Sequence, residues 1–263
     1  MISRAWSRKG AIAALALTLG VAGCTYNEQL GRNQLLLGSE ESIAAAADQA
    51  WAQIKQQERV SQDPRYTTKL NRVAPKLITA MGGNPAEWDY QVFASDDLNA
   101  FALPGKKIGV YTGIMDITEN DAQLAAIVGH EIAHVEFNHA RERSAQNTLG
   151  QVGALGVGLA LGTQCQEGDR ACQDRSLQMA ALGVSVFGIL PYSRTHELEA
   201  DVGGLRLMRQ AGYDVCEAVE FWRNMQQASA NQARPPEFLS THPGGDTRIQ
   251  TLQQEARRLG ANC

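Results

Sequence analysis

The sequence of 263 residues has no excess of basic residues, few aromatic residues and no long uninterrupted apolar run. Lysine and arginine total 24 against 28 aspartates and glutamates, which argues against nucleic-acid binding because that function usually requires a positive surface. No C-x-x-C pair is present, so a zinc-thiolate site is disfavoured. No internal repeat is visible, and the sequence therefore indicates one ordinary domain.

The composition is that of a globular protein. Apolar residues make up 44% and charged residues 20%, which excludes wholesale disorder. Aromatic residues are only 6%, while alanine, glycine and glutamine are plentiful, and this favours a helix-rich fold. Two glycine-containing apolar stretches, Leu149–Gly162 and Met179–Leu190, have 14 and 12 residues and are short for membrane spans. We expect a helical hairpin packed on the domain, with membrane dipping as the alternative.

The first 24 residues have the pattern of a bacterial lipoprotein leader. A basic start is followed by the uncharged run Ala11–Val21 and then by Val-Ala-Gly-Cys, a lipobox that ends at Cys24. We therefore expect residues 1–23 to be a removed signal peptide and Cys24 to carry a lipid anchor. An ordinary signal peptide with an incidental cysteine is the alternative. Thr25 follows the cysteine where inner-membrane lipoproteins carry aspartate, so the outer membrane is favoured.

Removal of the leader changes the net charge, and lipidation of Cys24 would leave four other cysteines. Residues 1–23 carry three basic and no acidic residues, which leaves 21 basic against 28 acidic, so acyl chains rather than electrostatics would supply membrane attachment. With Cys24 lipidated, an even number of cysteines remains for an oxidising compartment, which favours two disulfides. The preferred pairs are Cys165–Cys172 and Cys216–Cys263, with other pairings and free thiols left open.

The mature chain is predicted to be α+β, predominantly helical, with a small antiparallel sheet. Residues 24–60 would form the lipidated N-terminus, a tether and a first helix, and residues 61–263 the catalytic domain. Strands are predicted at Trp88–Ala94, Asn99–Leu103 and Lys107–Thr112, with a Pro-Gly turn between the last two. A long helix should then run from Asp121 to about Ser144.

That long helix contains the pattern H-E-x-x-H, with His130, Glu131 and His134. Histidines at i and i+4 lie on one helical face, so both imidazoles can reach one Zn²⁺ ion. Glu131 is rotated by about 100° from His130 and cannot easily bind the same ion. It can instead act as a general base towards a water molecule that the metal activates. A surface helix with two unrelated histidines is the alternative interpretation.

A catalytic zinc site needs a third protein ligand and an open position. Gly and His are absent from the positions that a metzincin extension requires, and His139 is out of register with it. Glu197 is the better candidate, because Asp201 lies one turn further on the same face and could accept the free ring N–H of a ligating histidine. Glu199 would point elsewhere. An acidic helix start that merely suits the helix dipole is the alternative.

The chain resembles the zinc metallopeptidases that include the CAAX prenyl protease, HtpX and Oma1, and especially the periplasmic BepA/LoiP-like branch. The resemblance covers roughly residues 60–250. It rests on four segments in order: Asn99–Gly105 with Tyr111–Met115, the H-E-x-x-H motif, Ser193–Asp201, and Thr241–Pro243 with Arg248. It implies His130, His134 and Glu197 as ligands of one Zn²⁺ per chain and Glu131 as general base.

Two further sites follow from the resemblance. Asn99, Ala100 and Phe101 would belong to an exposed edge strand beside the zinc cleft, which binds an extended substrate by β-augmentation. An ordinary sheet strand with a capping asparagine is the alternative. His242 would either stabilise the oxyanion or bind zinc as a fourth ligand that keeps the enzyme latent. An ordinary turn histidine remains a third interpretation.

The sequence therefore predicts a lipid-anchored periplasmic zinc endopeptidase that degrades misfolded or misassembled envelope proteins. The alternatives are a latent or chaperone-like binding protein capped by His242 and a purely structural zinc site. The sequence shows no tetratricopeptide domain of the BepA-like proteins, so association with assembly machinery is not expected and any assembly partner stays open. It also shows no long transmembrane spans of the HtpX type, which argues against membrane-embedded substrates.

Overall fold

The computed structural model describes residues 24–149, 192–230, 236–242 and 246–263. The predicted signal peptide, the predicted pair Cys165–Cys172 and nearly all of the two glycine-containing apolar stretches lie outside these residues. Within the described ranges, none of the helices combines the length and apolar character needed to cross a membrane.

The chain begins with a small hairpin and two helices. Strands β1 (Cys24–Asn27) and β2 (Arg32–Leu35) pair antiparallel, so part of the segment that the sequence predicts as a tether is ordered. Helices α1 (Glu40–Gln57) and α2 (Pro64–Ala80) follow, and the side chains of their N-cap residues, Ser39 and Asp63, accept hydrogen bonds from backbone N–H groups.

A three-stranded sheet forms the middle of the chain, with β3 (Asp89–Phe93), β4 (Ala100–Leu103) and β5 (Lys107–Tyr111) in the order β3-β5-β4. The predicted antiparallel sheet is wrong in one pairing, because β3 and β5 run parallel while β4 and β5 run antiparallel. The physical reason is the connection 94–99, which passes the end of β5 before the tight turn at Gly105 reverses the chain. Strand β4 is therefore an edge strand, as predicted.

The remaining elements form the helical layer. They are α3 (Thr112–Asp116), α4 (Asp121–Glu136), α5 (Arg194–Gln210), α6 (Cys216–Ala230), α7 (Glu237–Thr241) and α8 (Asp246–Arg258). The predicted α+β class, predominantly helical, is confirmed. A disulfide joins Cys216 at the start of α6 to the C-terminal Cys263, the pairing that the sequence favours.

The predicted continuous helix from Asp121 to Ser144 is wrong, because it breaks after Glu136. Asn138 adopts the left-handed conformation with φ of 55°, a region that asparagine tolerates better than most residues. Residues 139–149 are helical again after this bend. The bend turns His139 back towards His134, with consequences for the site described below.

Helices α4 and α5 pack closely beside the H-E-x-x-H motif. A Cβ atom on Gly204 would lie 2.8 Å from the backbone nitrogen of His130, and one on Gly129 would lie 3.2 Å from the carbonyl oxygen of Gly204. Only glycine permits so close a backbone approach here. The two helices that carry the candidate ligands are therefore held at short range.

Candidate metal centre

Four buried side chains converge between α4, α5 and the end of α7. One ligand atom from each of His130, His134, Glu197 and His242 lies within 4.8 Å of the others. The Nε2 atoms of His130 and His134 are 3.0 Å apart, and the Glu197 carboxylate lies 3.4 Å from the first and 3.5 Å from the second. The structure thus brings together the three residues that the sequence predicts as ligands.

The first histidine is oriented by a carboxylate and an arginine. Nδ1 of His130 lies 3.0 Å from Oδ1 of Asp201, the contact that the i,i+4 spacing of Glu197 and Asp201 predicts. Arg248 donates Nε–H to Asp201 at 2.7 Å and Nη1–H to Glu197 at 2.8 Å. Because His130 donates Nδ1–H to the carboxylate, its Nε2 lone pair faces the centre of the group.

Arg248 is a residue of the site whose role the sequence does not reveal. Its guanidinium is buried, lies 3.9 Å from the Trp222 ring centroid and also donates to the carbonyl oxygen of His242. In the sequence it is only one element of the family pattern. A single arginine on the amphipathic helix α8 carries no local signal that it will pair with carboxylates about fifty residues earlier.

The electrostatics of the group favour a divalent cation. The three buried acidic residues Glu131, Glu197 and Asp201 outnumber the one buried arginine of the group, Arg248. Burial and Arg248 lower the pKa of His130, yet hydrogen bonds to Asp201 and Glu197 outweigh them and raise it to about 9. Burial raises the pKa of Glu197, but its three histidine contacts hold it well below its usual range. The site therefore attracts positive charge.

The donor chemistry fits zinc in particular. Two imidazole nitrogens and one carboxylate are a known ligand set of catalytic Zn²⁺. Glu131 is buried, and no described residue forms a hydrogen bond with its Oε1 atom, although Nε2 of His242 lies 3.5 Å away. An unpartnered buried carboxylate oxygen is costly, and its position beside the ligand group fits a site that holds a metal ion and a reacting water molecule.

His242 belongs to the same group. Its Nδ1 atom lies 3.1 Å from Oε1 of Glu197 and 3.3 Å from Nε2 of His130, while Nε2 lies 3.5 Å from Oε1 of Glu131. The residue is therefore placed both with the candidate ligands and against the candidate base. Residue 243, the proline of the family pattern, lies outside the described residues.

The second histidine is oriented by another histidine. Nδ1 of His134 lies 2.9 Å from Nδ1 of His139, and Nε2 of His139 lies 3.0 Å from Glu199. Burial raises the pKa of Glu199, but hydrogen bonds from Arg32 and His139 outweigh it and lower the pKa to about 2. His139 is a buried residue outside the ligand group, in agreement with the sequence analysis, which did not assign it as a ligand.

A cleft beside the site runs along β4. It has a volume of about 280 Å³ and is bordered by Ala102 and Leu103 on one side and by His134 and Tyr192 on the other. Ala100 is fully buried, and the Phe101 ring packs in an aromatic cluster with Trp51, Phe93 and Tyr111. Asn99 is also buried, so the cleft is lined by later residues of the strand than those predicted.

Comparison with known proteins supplies the family context. The sequence pattern of peptidase family M48 matches residues 64–256. The chain is 32% identical to the mitochondrial metalloendopeptidase OMA1 of Bos taurus over 246 residues, which cover 89% of this chain and 46% of that protein. It is 31% identical to OMA1 of Schizosaccharomyces pombe over 75% of this chain and 56% of that protein.

A bacterial relative is also similar. The beta-barrel assembly-enhancing protease of Escherichia coli strain K12 is 27% identical over 203 residues, which cover 75% of this chain and 40% of that protein. The chain thus spans about half the length of the relatives it matches. The four residues of the candidate ligand group, His130, His134, Glu197 and His242, all lie within the matched residues 64–256.

Proposed function

Because this chain belongs to peptidase family M48, we propose that it is a zinc-dependent endopeptidase of the bacterial envelope, acting on misfolded or misassembled envelope proteins. One observation carries the proposal: His130, His134 and Glu197 converge from two helices, with an unpartnered oxygen of Glu131 beside them. The name of the beta-barrel assembly-enhancing protease supports the envelope setting, whereas the OMA1 relatives are mitochondrial.

His130, His134 and Glu197 would hold the metal. A bound Zn²⁺ ion would supply Lewis-acid polarisation of the scissile carbonyl and lower the pKa of water. Glu131 takes the proton of the attacking water at Oε1 and delivers it to the leaving amine nitrogen. Asp201 and Arg248 keep His130 in the tautomer whose Nε2 faces the ion.

The edge strand β4 would bind the substrate backbone. Its outer edge has no neighbouring strand in the described sheet, and Ala102 and Leu103 border the cleft next to His134. An extended peptide added there would pair main chain to main chain, a mode of binding that tolerates many sequences. Asn99 is proposed to orient the scissile carbonyl, and Ala100 and Phe101 to contribute backbone groups rather than side chains.

The test of peptidase activity compares wild type with Glu131→Gln on casein at matched zinc content. We expect the wild type to cleave casein and Glu131→Gln to lose at least 100-fold in rate while zinc content stays the same. Equal rates in the two proteins would remove Glu131 from the mechanism. A chelator should abolish cleavage, and collapse of the fold at the same time would favour a purely structural zinc site.

A second candidate function is a latent or chaperone-like protein whose site is capped by His242. The contacts of His242 with Glu197, His130 and Glu131 favour it. If the cap restrains an active enzyme, His242→Ala should raise the cleavage rate. If His242 instead stabilises the oxyanion, the same substitution should lower it. No cleavage by either protein, with envelope function retained in Glu131→Gln, would favour the chaperone-like role.

The proposed location is the periplasm, with a lipid on Cys24 that anchors the protein, in the outer membrane by preference. Cys24 is exposed at the start of β1, which leaves it accessible for modification. Labelling cells with a fatty-acid probe and fractionating the membranes tests this. Cys24→Ser should abolish both the label and the membrane association, and a labelled Cys24→Ser protein would contradict the anchor.

A further inference from the structure

An arginine of the N-terminal hairpin forms ion pairs with two acidic residues. Arg32 on β2 contacts Glu142 through Nη1 at 2.8 Å and Nη2 at 2.9 Å, and Glu199 through Nε at 2.5 Å and Nη2 at 2.7 Å. Both sides of the guanidinium are thus used in paired hydrogen bonds, the geometry in which arginine holds carboxylates most firmly. The two carboxylates come from segments that flank the metal centre.

Glu199 continues this contact towards the metal centre. Its Oε2 atom lies 3.0 Å from Nε2 of His139, and Nδ1 of His139 lies 2.9 Å from Nδ1 of His134. A carboxylate that is paired with a guanidinium can only accept, so His139 donates Nε2–H to it. Nδ1 of neutral His139 is then an acceptor, and His134 must donate its own Nδ1–H. That leaves the Nε2 lone pair of His134 facing the ligand group.

We propose that Arg32 is a positioning residue for the metal centre, which fixes the orientation and tautomer of His134 through Glu199 and His139. The inference rests on the proposed zinc site, but it does not depend on which substrate is cleaved. Arg32 does not contact the ligand group itself, and it lies outside the residues 64–256 that match the family.

Further contacts, some of them from the same hairpin, hold His139 in place. Gln34 donates Nε2–H to the carbonyl oxygen of Phe137 at 2.7 Å and to Glu142 at 2.9 Å, which fastens the bend between α4 and residues 139–149. Glu142 also lies 3.1 Å from Nε2 of His196, whose ring stacks on His139 with centroids 4.5 Å apart. His139 is completely buried, so water cannot replace these partners.

The test measures zinc affinity by competition with a chromophoric chelator, because affinity reports the ligand geometry without any substrate. Removing a hydrogen-bond partner of a ligating histidine typically costs 10- to 100-fold in metal affinity. We expect Arg32→Ala to weaken zinc binding by about tenfold, since it acts through two intermediaries. Arg65→Ala is the matched control, because Arg65 also pairs with a carboxylate, Asp63, but at an exposed position away from the site.

A spectroscopic readout separates positioning from general stability. The visible d–d bands of the Co²⁺-substituted protein report ligand geometry, and we expect Arg32→Ala to shift them while Arg65→Ala leaves them unchanged. Glu199→Gln preserves side-chain volume and provides a second variant if Arg32→Ala folds poorly. Because both residues act in one chain of contacts, the double variant should lose little more affinity than either single variant.

A lowered melting temperature in Arg32→Ala with unchanged zinc affinity and Co²⁺ spectrum would overturn the inference and leave the proposed function intact. A wild type that binds no zinc would overturn both. If the wild type and His242→Ala both bind zinc but cleave nothing, the peptidase proposal alone is overturned, since the affinity comparison among the variants would still stand.

Discussion

The two histidines of the H-E-x-x-H motif are oriented by two series of contacts, which differ in the number of residues and in the part of the chain that supplies them. His130 meets a carboxylate directly, and the buried Arg248 holds that carboxylate from α8. His134 contacts His139, and His139 contacts Glu199. Glu199 in turn pairs with Arg32, whose side chain is 27% exposed. We call these the inner relay (His130, Asp201, Arg248) and the outer relay (His134, His139, Glu199, Arg32).

The difference concerns which part of the chain builds each relay. Every member of the inner relay lies within residues 64–256, the range that matches the family, whereas the outer relay ends in the N-terminal hairpin. The contacts that orient His130 therefore come from residues within the family match alone. The contacts that orient His134 also include Arg32, on a hairpin that precedes the matched residues in the chain.

The largest expected difference is in folding stability. Arg248→Ala leaves Asp201 and Glu197 buried without their cation, and we expect it to cost about 3–5 kcal/mol. Arg32→Ala should cost about 1–2 kcal/mol, because Arg32 and Glu199 are partly exposed to water. Urea denaturation of both variants measures this. If Arg32→Ala lost as much free energy of unfolding as Arg248→Ala or more, the outer relay would contribute at least as much to stability as the inner relay.

The next difference concerns metal affinity. Asp201→Asn removes the charge that holds Nδ1–H of His130, and we expect zinc affinity to fall about 100-fold, the upper end of the usual range. The loss of zinc affinity in Arg32→Ala should be near the lower end of that range, because two side chains lie between Arg32 and His134. Asp63→Asn, at an exposed helix cap, serves as control and should bind zinc as the wild type does. If Asp201→Asn bound zinc like the wild type, the inner relay would have no influence on the ligand.

A smaller effect should appear in the pH dependence of stability. The pKa of Glu199 is lowered from 4.5 to about 2, and that of Glu142 is also lowered, because Arg32 outweighs burial at both. Carboxylates with depressed pKa values bind fewer protons in the folded protein than in the unfolded one. Their contribution is complete above about pH 4.5 and is lost as the pH falls towards 2.

The stability difference between wild type and Arg32→Ala should therefore be constant from pH 5 to 8 and shrink below pH 4.5. Melting temperatures across this range, with chelator present in every sample, would show it. A gap that widens on acidification would mean that Arg32 does not act through these carboxylates.

The smallest expected effect separates charge from geometry. Arg32→Lys keeps the positive charge but cannot contact both carboxylates through a planar fork. We expect it to recover about half of the stability lost in Arg32→Ala and little of the zinc affinity. Full recovery of zinc affinity by lysine, measured by the same chelator competition, would show that charge alone is sufficient.

The ligand set and the contact of His130 with Asp201 could be predicted from the sequence, whereas the role of Arg248 in the inner relay could not. Helical spacing places His130 beside His134 and Glu197 above Asp201, so the local pattern already contains the geometry. The three strands and the start of the H-E-x-x-H helix at Asp121 were also predictable from residue patterns and turn residues. The even number of cysteines predicted disulfides, and the preferred pairing Cys216–Cys263 is confirmed.

The outer relay could not be predicted, because its members are far apart in sequence. Arg32 and Glu199 are separated by 167 residues, and although Glu199 lies in the segment Ser193–Asp201, no local pattern pairs it with Arg32. The bend at Asn138 was missed since the apolar periodicity continues through it. The parallel pairing of β3 with β5 was missed because it depends on the path of a loop, which strand patterns do not encode.

The hairpin has a consequence for where the enzyme could work. Cys24 pairs with Leu35, and Asn27 pairs with Arg32 three residues further along the strand. At about 3.3 Å per residue, the acylation point would lie only about 10 Å along the strand from Arg32. A lipid on Cys24 would thus hold the catalytic half of the molecule close against the bilayer. Its reach would be limited to polypeptides at the membrane surface, and proteins far out in the periplasm would escape it.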